Sequence, residues 1–69
     1  MQYGTRNQFD GKVVFIRKGE IMSEVIVEVK KDVYVTSVLT TSSLNDLNIS
    51  EDMTIKALVK AVDVVLVRA

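Results

Sequence analysis

The segment Ser23–Leu39, SEVIVEVKKDVYVTSVL, decides the fold class. Every second residue from Val25 to Val29 is valine. The alternate positions hold Glu24, Glu28 and Lys30, with Ile26 the exception, which is typical of a β-strand with one buried face. Lys31-Asp32 then suits a tight reversal, after which a second run of alternating residues begins. Two such runs joined by a short turn predict an antiparallel hairpin. Its strands are Ser23–Lys30 and Val33–Leu39.

Three further strands and one short helix are predicted from the rest of the chain. The first strand contains Gly11, which is typical of a bulge or a barrel bend, and its apolar run Val13–Ile16 predicts burial on both faces. The Ser/Thr cluster after the hairpin supplies an N-cap for a helix of about two turns that stops near Asn48. The remaining strands are Thr5–Arg17, Met53–Lys60 and Asp63–Val67, the last again apolar on both faces.

This order of elements predicts an all-β fold with one short helix, a five-stranded OB-like barrel. The chain has 69 residues, so residues 1–69 are expected to form a single domain. A chain of this size buries only about 60% of its unfolded surface. It also has no Cys for disulfides and no His for a metal site, while 48% of its residues are hydrophobic. We therefore expect stability to come from a homo-oligomer that covers the apolar strands.

Composition argues against several classes of function. Nine basic and nine acidic residues give a formal net charge of zero, whereas nucleic-acid-binding proteins usually carry a basic excess. The Gly-rich nucleotide loop and the GxSxG and HExxH motifs are absent, so we predict no enzymatic activity, no cofactor and no metal bound by protein ligands. No apolar run reaches the roughly 18 residues of a membrane span, and the start of the chain lacks a signal-peptide pattern. The expected location is the cytoplasm, away from membranes.

Two short segments hold hydrogen-bond donors that suit a tetrahedral oxyanion. Arg6 offers a planar, permanently charged fork, and its neighbours Thr5 and Asn7 add a hydroxyl and an amide. Near the other end of the chain, Lys60 offers an ammonium group beside Ala61-Val62, small residues whose backbone amides a ligand can approach closely. On residue chemistry alone, the more common role of solvated surface residues is favoured for both segments.

Six short motifs spread along the chain carry a family resemblance. They are Arg6-Asn7-Gln8, Gly11–Val14, Lys18-Gly19, Ser23–Val25, Thr36-Ser37 and Leu58–Ala61. Together they resemble the molbindins, small molybdate-binding proteins whose module also occurs as the TOBE or Mop domain of molybdate transport ATPases and molybdate-responsive regulators. The resemblance implies an OB-like barrel that assembles as a homo-hexamer, a trimer of dimers, and holds molybdate or tungstate at its subunit interfaces.

The resemblance also implies which residues bind the oxyanion. Ligands in the family are chiefly main-chain amides with a few Ser, Thr, Arg and Lys side chains, so the metal keeps its own oxygens and no cofactor is needed. Gly4 and Val62 stand where the family commonly has hydroxyl residues, which bears on affinity and on oxyanion preference. The expected binding residues are Thr5, Arg6, Asn7, Lys60, Ala61 and Val62.

The leading interpretation is intracellular binding of molybdate or tungstate for storage or buffering. One alternative is an OB-like module that binds nucleic acid or oligosaccharide, although the chain has only two Phe, two Tyr and no Trp for stacking. The other alternative is a structural assembly module whose oxyanion sites have decayed, an idea that Gly4 and Val62 keep open.

Overall fold

The computed structural model describes residues 5–68, with the backbone alone at positions 5 and 6. The described strands form one antiparallel sheet in the order β3-β2-β1-β4, and this sheet curls into a half-barrel whose free edges are β3 and β4. Its elements are β1 (Thr5–Lys18), β2 (Met22–Lys30), β3 (Val33–Thr40), α1 (Thr41–Asp46), β4 (Thr54–Lys60) and a 3₁₀ turn over Ala61–Asp63.

β1 serves both halves of the sheet because it bends near its middle. Its first half pairs with β4 and its second half with β2. A Cβ atom at Gly11 would lie 2.6 Å from the carbonyl oxygen of Glu28, so the absence of a side chain lets the backbone of β2 approach this closely. The shift in β1–β2 register falls between Val13 and Phe15. The predicted bend is therefore correct, and the bulge lies just beyond the glycine.

The core lies where β1, β2 and α1 pack together. Val13, Val25, Val27 and Leu44 are its buried hydrophobic residues, none more than 4% exposed. The alternation predicted for the second strand is confirmed, because burial in β2 follows every second residue. Within the single chain Val14 is 38% and Phe15 42% exposed, so burial of both faces of Val13–Ile16 stays a prediction for the assembled oligomer.

Local sequence signals account for the turns and for the helix. Asp32 has φ 62° in the predicted reversal, and Asn48 has φ 54° after α1; Asp and Asn tolerate this left-handed region better than most residues. Thr40 caps α1, because its hydroxyl accepts a hydrogen bond of 3.0 Å from the backbone N–H of Ser43. The predicted helix and its two ends are confirmed.

A buried hydroxyl pair ties α1 to the β1–β2 turn. The Thr41 hydroxyl donates to the carbonyl oxygen of Gly19 at 2.8 Å and lies 2.6 Å from the Ser23 hydroxyl. The backbone N–H of Thr41 also donates to Ile21 at 2.7 Å. Because buried polar groups are costly when unpaired, these bonds fix the start of the helix against the sheet.

The predicted fifth strand, Asp63–Val67, is wrong for the described chain. Asp63 ends the 3₁₀ turn, and residues 64–68 belong to no strand or helix. Val65, Leu66 and Val67 are 82%, 90% and 84% exposed. Their composition favours a strand, but a strand forms only where a neighbouring edge offers hydrogen bonds, and no edge of the described sheet pairs with them. The half-barrel therefore has four strands and stays open between β3 and β4.

Candidate functional site

The two segments predicted to bind an oxyanion meet at one end of the β1–β4 pair. Thr5 lies opposite Lys60, and Asn7 lies opposite Val59. Two steps along β1 therefore match one step along β4, so Arg6 is the extra residue of a β-bulge. The 3₁₀ turn that contains the other two predicted residues follows Lys60 directly. Residues far apart in sequence are thus brought together by strand register.

Asn7 has a specific partner in this arrangement. Its side-chain amide nitrogen Nδ2 donates a hydrogen bond of 3.3 Å to the backbone carbonyl of Val59, across the strand pair and next to the bulge. Both Asn7 and Val59 are half-buried, whereas residues further along this end of the molecule are exposed. The amide therefore links the two strands at the point where their register changes.

The remaining predicted residues differ in what the structure says of them. Lys60 is exposed and ends β4 with an extended backbone, at φ −66° and ψ 136°. Ala61 and Val62 are exposed in the 3₁₀ turn, Val62 at 86%. The side chains of Thr5 and Arg6 lie outside the described residues, as does the whole of Gly4.

The charges around this end are only partly neutralised by ion pairs. Among the described side chains, the two ion pairs join Lys56 to Asp10 at 3.1 Å and Arg17 to Glu24 at 3.8 Å, and neither involves Lys60. Asp63 ends the same 3₁₀ turn and brings a carboxylate that the sequence analysis placed in the predicted fifth strand and did not assign to this site. Its position three residues after Lys60 is the sequence feature that could have placed the Asp63 carboxylate near this end. Any anion bound at this end therefore meets charges of both signs.

A groove runs along the open side of the half-barrel, between β3 and β4. It has a volume of about 440 Å³ and is lined by residues 35–39 and 55–59, with Leu47 and Ile49 at one side. Its lining is mainly aliphatic, apart from the hydroxyls of Thr36 and Ser37 and the ammonium group of Lys56. Such a surface suits an extended apolar segment better than a small oxyanion.

Two other features are absent from the part of the chain that the structure describes. Within residues 5–68, no group of three or more carboxylates is placed to hold a metal ion. No helix in the described part of the chain is long and apolar enough to cross a membrane.

Comparison with known proteins places the chain in a family. Residues 4–66 match the TOBE domain family. The chain is 36% identical over 66 residues to molybdenum-pterin-binding protein 3 of Clostridium pasteurianum, and 35% identical to molybdenum-pterin-binding protein 1 of the same organism. Each alignment covers 96% of this chain and 97% of the relative.

Solved structures agree with the sequence relatives. A molybdate-binding protein from Sporomusa ovata matches with a TM-score of 0.88 at 26% identity, over 99% of this chain and 100% of that chain. MopII from Clostridium pasteurianum matches with a TM-score of 0.88 at 33% identity, over 97% and 100%. These neighbours confirm the predicted OB-like class. The names of the Sporomusa protein and of the Clostridium pasteurianum relatives describe binding proteins, in agreement with the prediction of no enzymatic activity. The chain belongs to the TOBE domain family.

Proposed function

We propose that this chain binds molybdate or tungstate at the subunit interfaces of a homo-oligomer and stores or buffers the oxyanion in the cytoplasm. The observation that carries the proposal is the β1–β4 register, which sets residues 5–7 against Val59 and Lys60, directly before the 3₁₀ turn that begins at Ala61. Strand pairing thereby brings the two donor segments predicted from the sequence to the same end of the β1–β4 pair. Molybdate is the ligand in the name of the Sporomusa ovata neighbour, and the names of the Clostridium relatives give molybdenum-pterin, so molybdenum is common to both.

The chemistry of the assembled residues suits a tetrahedral dianion. Arg6 supplies a guanidinium fork and Lys60 an ammonium group, and charge-assisted hydrogen bonds of this kind are roughly twice as strong as neutral ones. The first N–H groups of a 3₁₀ turn have no partner within the turn, so Ala61 and Val62 add backbone donors. Because molybdenum or tungsten enters with its own oxygens, no protein ligand to the metal and no further cofactor is required.

The proposal is compatible with a net charge of zero. A small dianion needs only local donors, whereas a nucleic acid needs a basic surface that follows its backbone. The groove between β3 and β4 has no aromatic residue in its lining and a single cation, Lys56. That composition disfavours the alternative of single-strand nucleic-acid binding, which relies on stacking platforms.

Assembly is supported by the C-terminal segment, residues 64–67, and by the open groove. The segment is apolar and exposed, and Val64 has the extended backbone of a strand, with φ −88° and ψ 124°. The groove is apolar and flanked by the two unpaired edges of the described sheet. The C-terminal segment of a second copy would complete the barrel as a fifth strand, and a reciprocal exchange would give a symmetric dimer. Three such dimers would make the expected hexamer.

This arrangement would also put the oxyanion at a boundary between copies. Residues 60–62 directly precede the segment that enters the partner, so the donors that they carry would stand beside another subunit. Exclusion of water at such a boundary would strengthen each charge-assisted hydrogen bond.

The function is tested by equilibrium dialysis of the wild-type protein against molybdate, tungstate, sulfate and phosphate. We expect saturable uptake of molybdate and tungstate and loss of uptake in the double variant Arg6→Ala/Lys60→Met. Uptake of none of the four anions would contradict the proposal and favour a structural assembly module. Uptake of a single-stranded oligonucleotide instead would favour the nucleic-acid alternative.

A further inference from the structure

The β-bulge at Arg6 determines which residue of β1 faces Lys60. With the bulge, Thr5 lies opposite Lys60 and Asn7 lies opposite Val59. Without it, regular antiparallel pairing from the Asn7–Val59 pair would put Arg6 opposite Lys60 instead. Successive positions of a strand lie on opposite faces of the sheet. A slip of one residue in the register would therefore exchange the faces on which positions 5 and 6 lie.

We propose that Asn7 is a positioning residue for the oxyanion site and acts by holding this bulge in place. The inference rests on the proposed function, and it gives Asn7 a different role from the direct ligand that the family resemblance implies. Its Nδ2 donates to the carbonyl oxygen of Val59 at 3.3 Å, so the side chain joins β1 to β4 beside the irregular step.

The location of this hydrogen bond explains why a side chain is needed. A bulge leaves its extra residue out of the ladder and weakens local pairing, and strand ends open more easily than strand centres. Here both weaknesses coincide, because the bulge lies one residue inside the first described pair, Thr5–Lys60. A side-chain bond within a half-buried pair restrains the register where the backbone ladder restrains it least.

The consequence for binding is geometric. The register decides which of residues 5 and 6 is paired with Lys60, next to the 3₁₀ turn. We therefore expect loss of the Asn7 bond to lower oxyanion affinity while every donor remains in the chain. A positioning role can be distinguished from direct contact with the oxyanion, because a change in the β1–β4 register can be measured in the protein without ligand.

The test uses the full-length chain, three variants and tungstate as the probe. Asn7→Leu keeps the branched shape and removes the donor, whereas Asn7→His restores a ring N–H at a similar distance from the backbone. Gln8→Leu is the matched control, since Gln8 is the next residue of β1 and is exposed. We expect Asn7→Leu to weaken tungstate binding about 3- to 10-fold, Asn7→His to recover most of the loss, and Gln8→Leu to bind like wild type.

The β1–β4 register is measured on the same samples without ligand, from cross-strand nuclear Overhauser effects and amide hydrogen exchange at residues 5–7 and 60. We expect the Thr5–Lys60 pairing to weaken in Asn7→Leu and to return in Asn7→His. A loss of affinity with unchanged register would overturn the proposal, because Asn7 would then touch the ligand. Unchanged affinity and register in Asn7→Leu would overturn it as well.

The register measurement also separates this inference from the proposed function. If wild-type protein takes up no oxyanion, the proposed function fails, yet the register of the ligand-free variants still shows whether Asn7 holds the bulge. If the wild type binds tungstate and Asn7→Leu keeps the wild-type register, only the inference about Asn7 fails.

Discussion

Val13 and Val65 are the same residue type in similarly apolar stretches of sequence, yet Val13 is fully buried and Val65 is 82% exposed. Val13 belongs to the half of the molecule where β1 and β2 pack under α1, and where hydroxyl bonds fasten the helix to the sheet. Val65 belongs to the C-terminal segment after the 3₁₀ turn, which pairs with no edge of the described sheet, and the groove between β3 and β4 stays open. Burial here depends on whether a paired neighbour is within reach, and apolar composition alone does not secure it.

The difference also locates the candidate site. Residues 5–7 and 60–62 lie where the paired sheet gives way to the unpaired C-terminal segment. A site in that place can take rigid donors from the strand pair and share its environment with another subunit. Four predictions test this contrast between the packed half and the open half.

The largest effect is expected from a charge in the C-terminal segment. Leu66→Asp puts a carboxylate where we propose that a partner's groove receives an apolar residue, and burial of an unpaired charge is strongly unfavourable. Light scattering should show wild-type protein at several times 7.7 kDa and the variant at a much lower mass. Ser50→Asp, in an exposed loop, is the control and should keep the wild-type mass. A monomeric wild type would contradict the assembly.

The packed half is tested by truncation of its most buried side chain. Val13→Ala removes two methyl groups from the core and leaves a cavity, so we expect a loss of about 2–3 kcal/mol in the free energy of unfolding. The matched change Val65→Ala should cost less than about 0.5 kcal/mol at high dilution, since exposed residues contribute little. Urea denaturation at several protein concentrations measures both. Equal losses of unfolding free energy in the two variants at high dilution would contradict the proposed difference between the packed half and the open half.

The site is tested first at the bulge. Arg6→Ala should weaken molybdate binding by about 1.5–3 kcal/mol, the range for a hydrogen bond to a charged group. Binding and mass are measured on the same sample. If the variant loses assembly while its remaining oligomers bind normally, Arg6 serves the interface between subunits and makes no contact with the oxyanion.

The smallest effect is expected at the end of β4. Lys60→Met keeps most of the aliphatic stem and removes the charge, so folding should be unchanged, binding weaker by about 1 kcal/mol and less dependent on salt. Lys31→Met is the matched control and should bind like wild type, because Lys31 is an exposed lysine of the β2–β3 turn, outside both the candidate site and the groove. Isothermal titration calorimetry at two salt concentrations measures the binding free energy and its dependence on salt. Identical salt dependence in wild type and Lys60→Met would make Lys60 an ordinary surface residue.

Several features followed from the sequence by itself because they depend on neighbours along the chain. The alternation in β2, the reversal at Asp32, the Thr40 cap and the stop at Asn48 are local, and each was predicted and is present. The two donor segments were also recognisable from residue type and from the family resemblance. Secondary-structure propensity, helix capping and hydrophobic alternation each depend on residues only a few positions apart. They can therefore be predicted without a structure.

Tertiary structure alone decided where strands pair and where they do not. The bulges at Val14 and Arg6 depend on the register of strands that are distant in sequence, as the Asn7–Val59 bond shows by joining residues 52 positions apart. The segment Asp63–Val67 has the composition of a strand and no partner within the described sheet. A strand is stabilised by hydrogen bonds to another edge, so its existence is a property of the assembled sheet, and apolar sequence predicts only the tendency to form one.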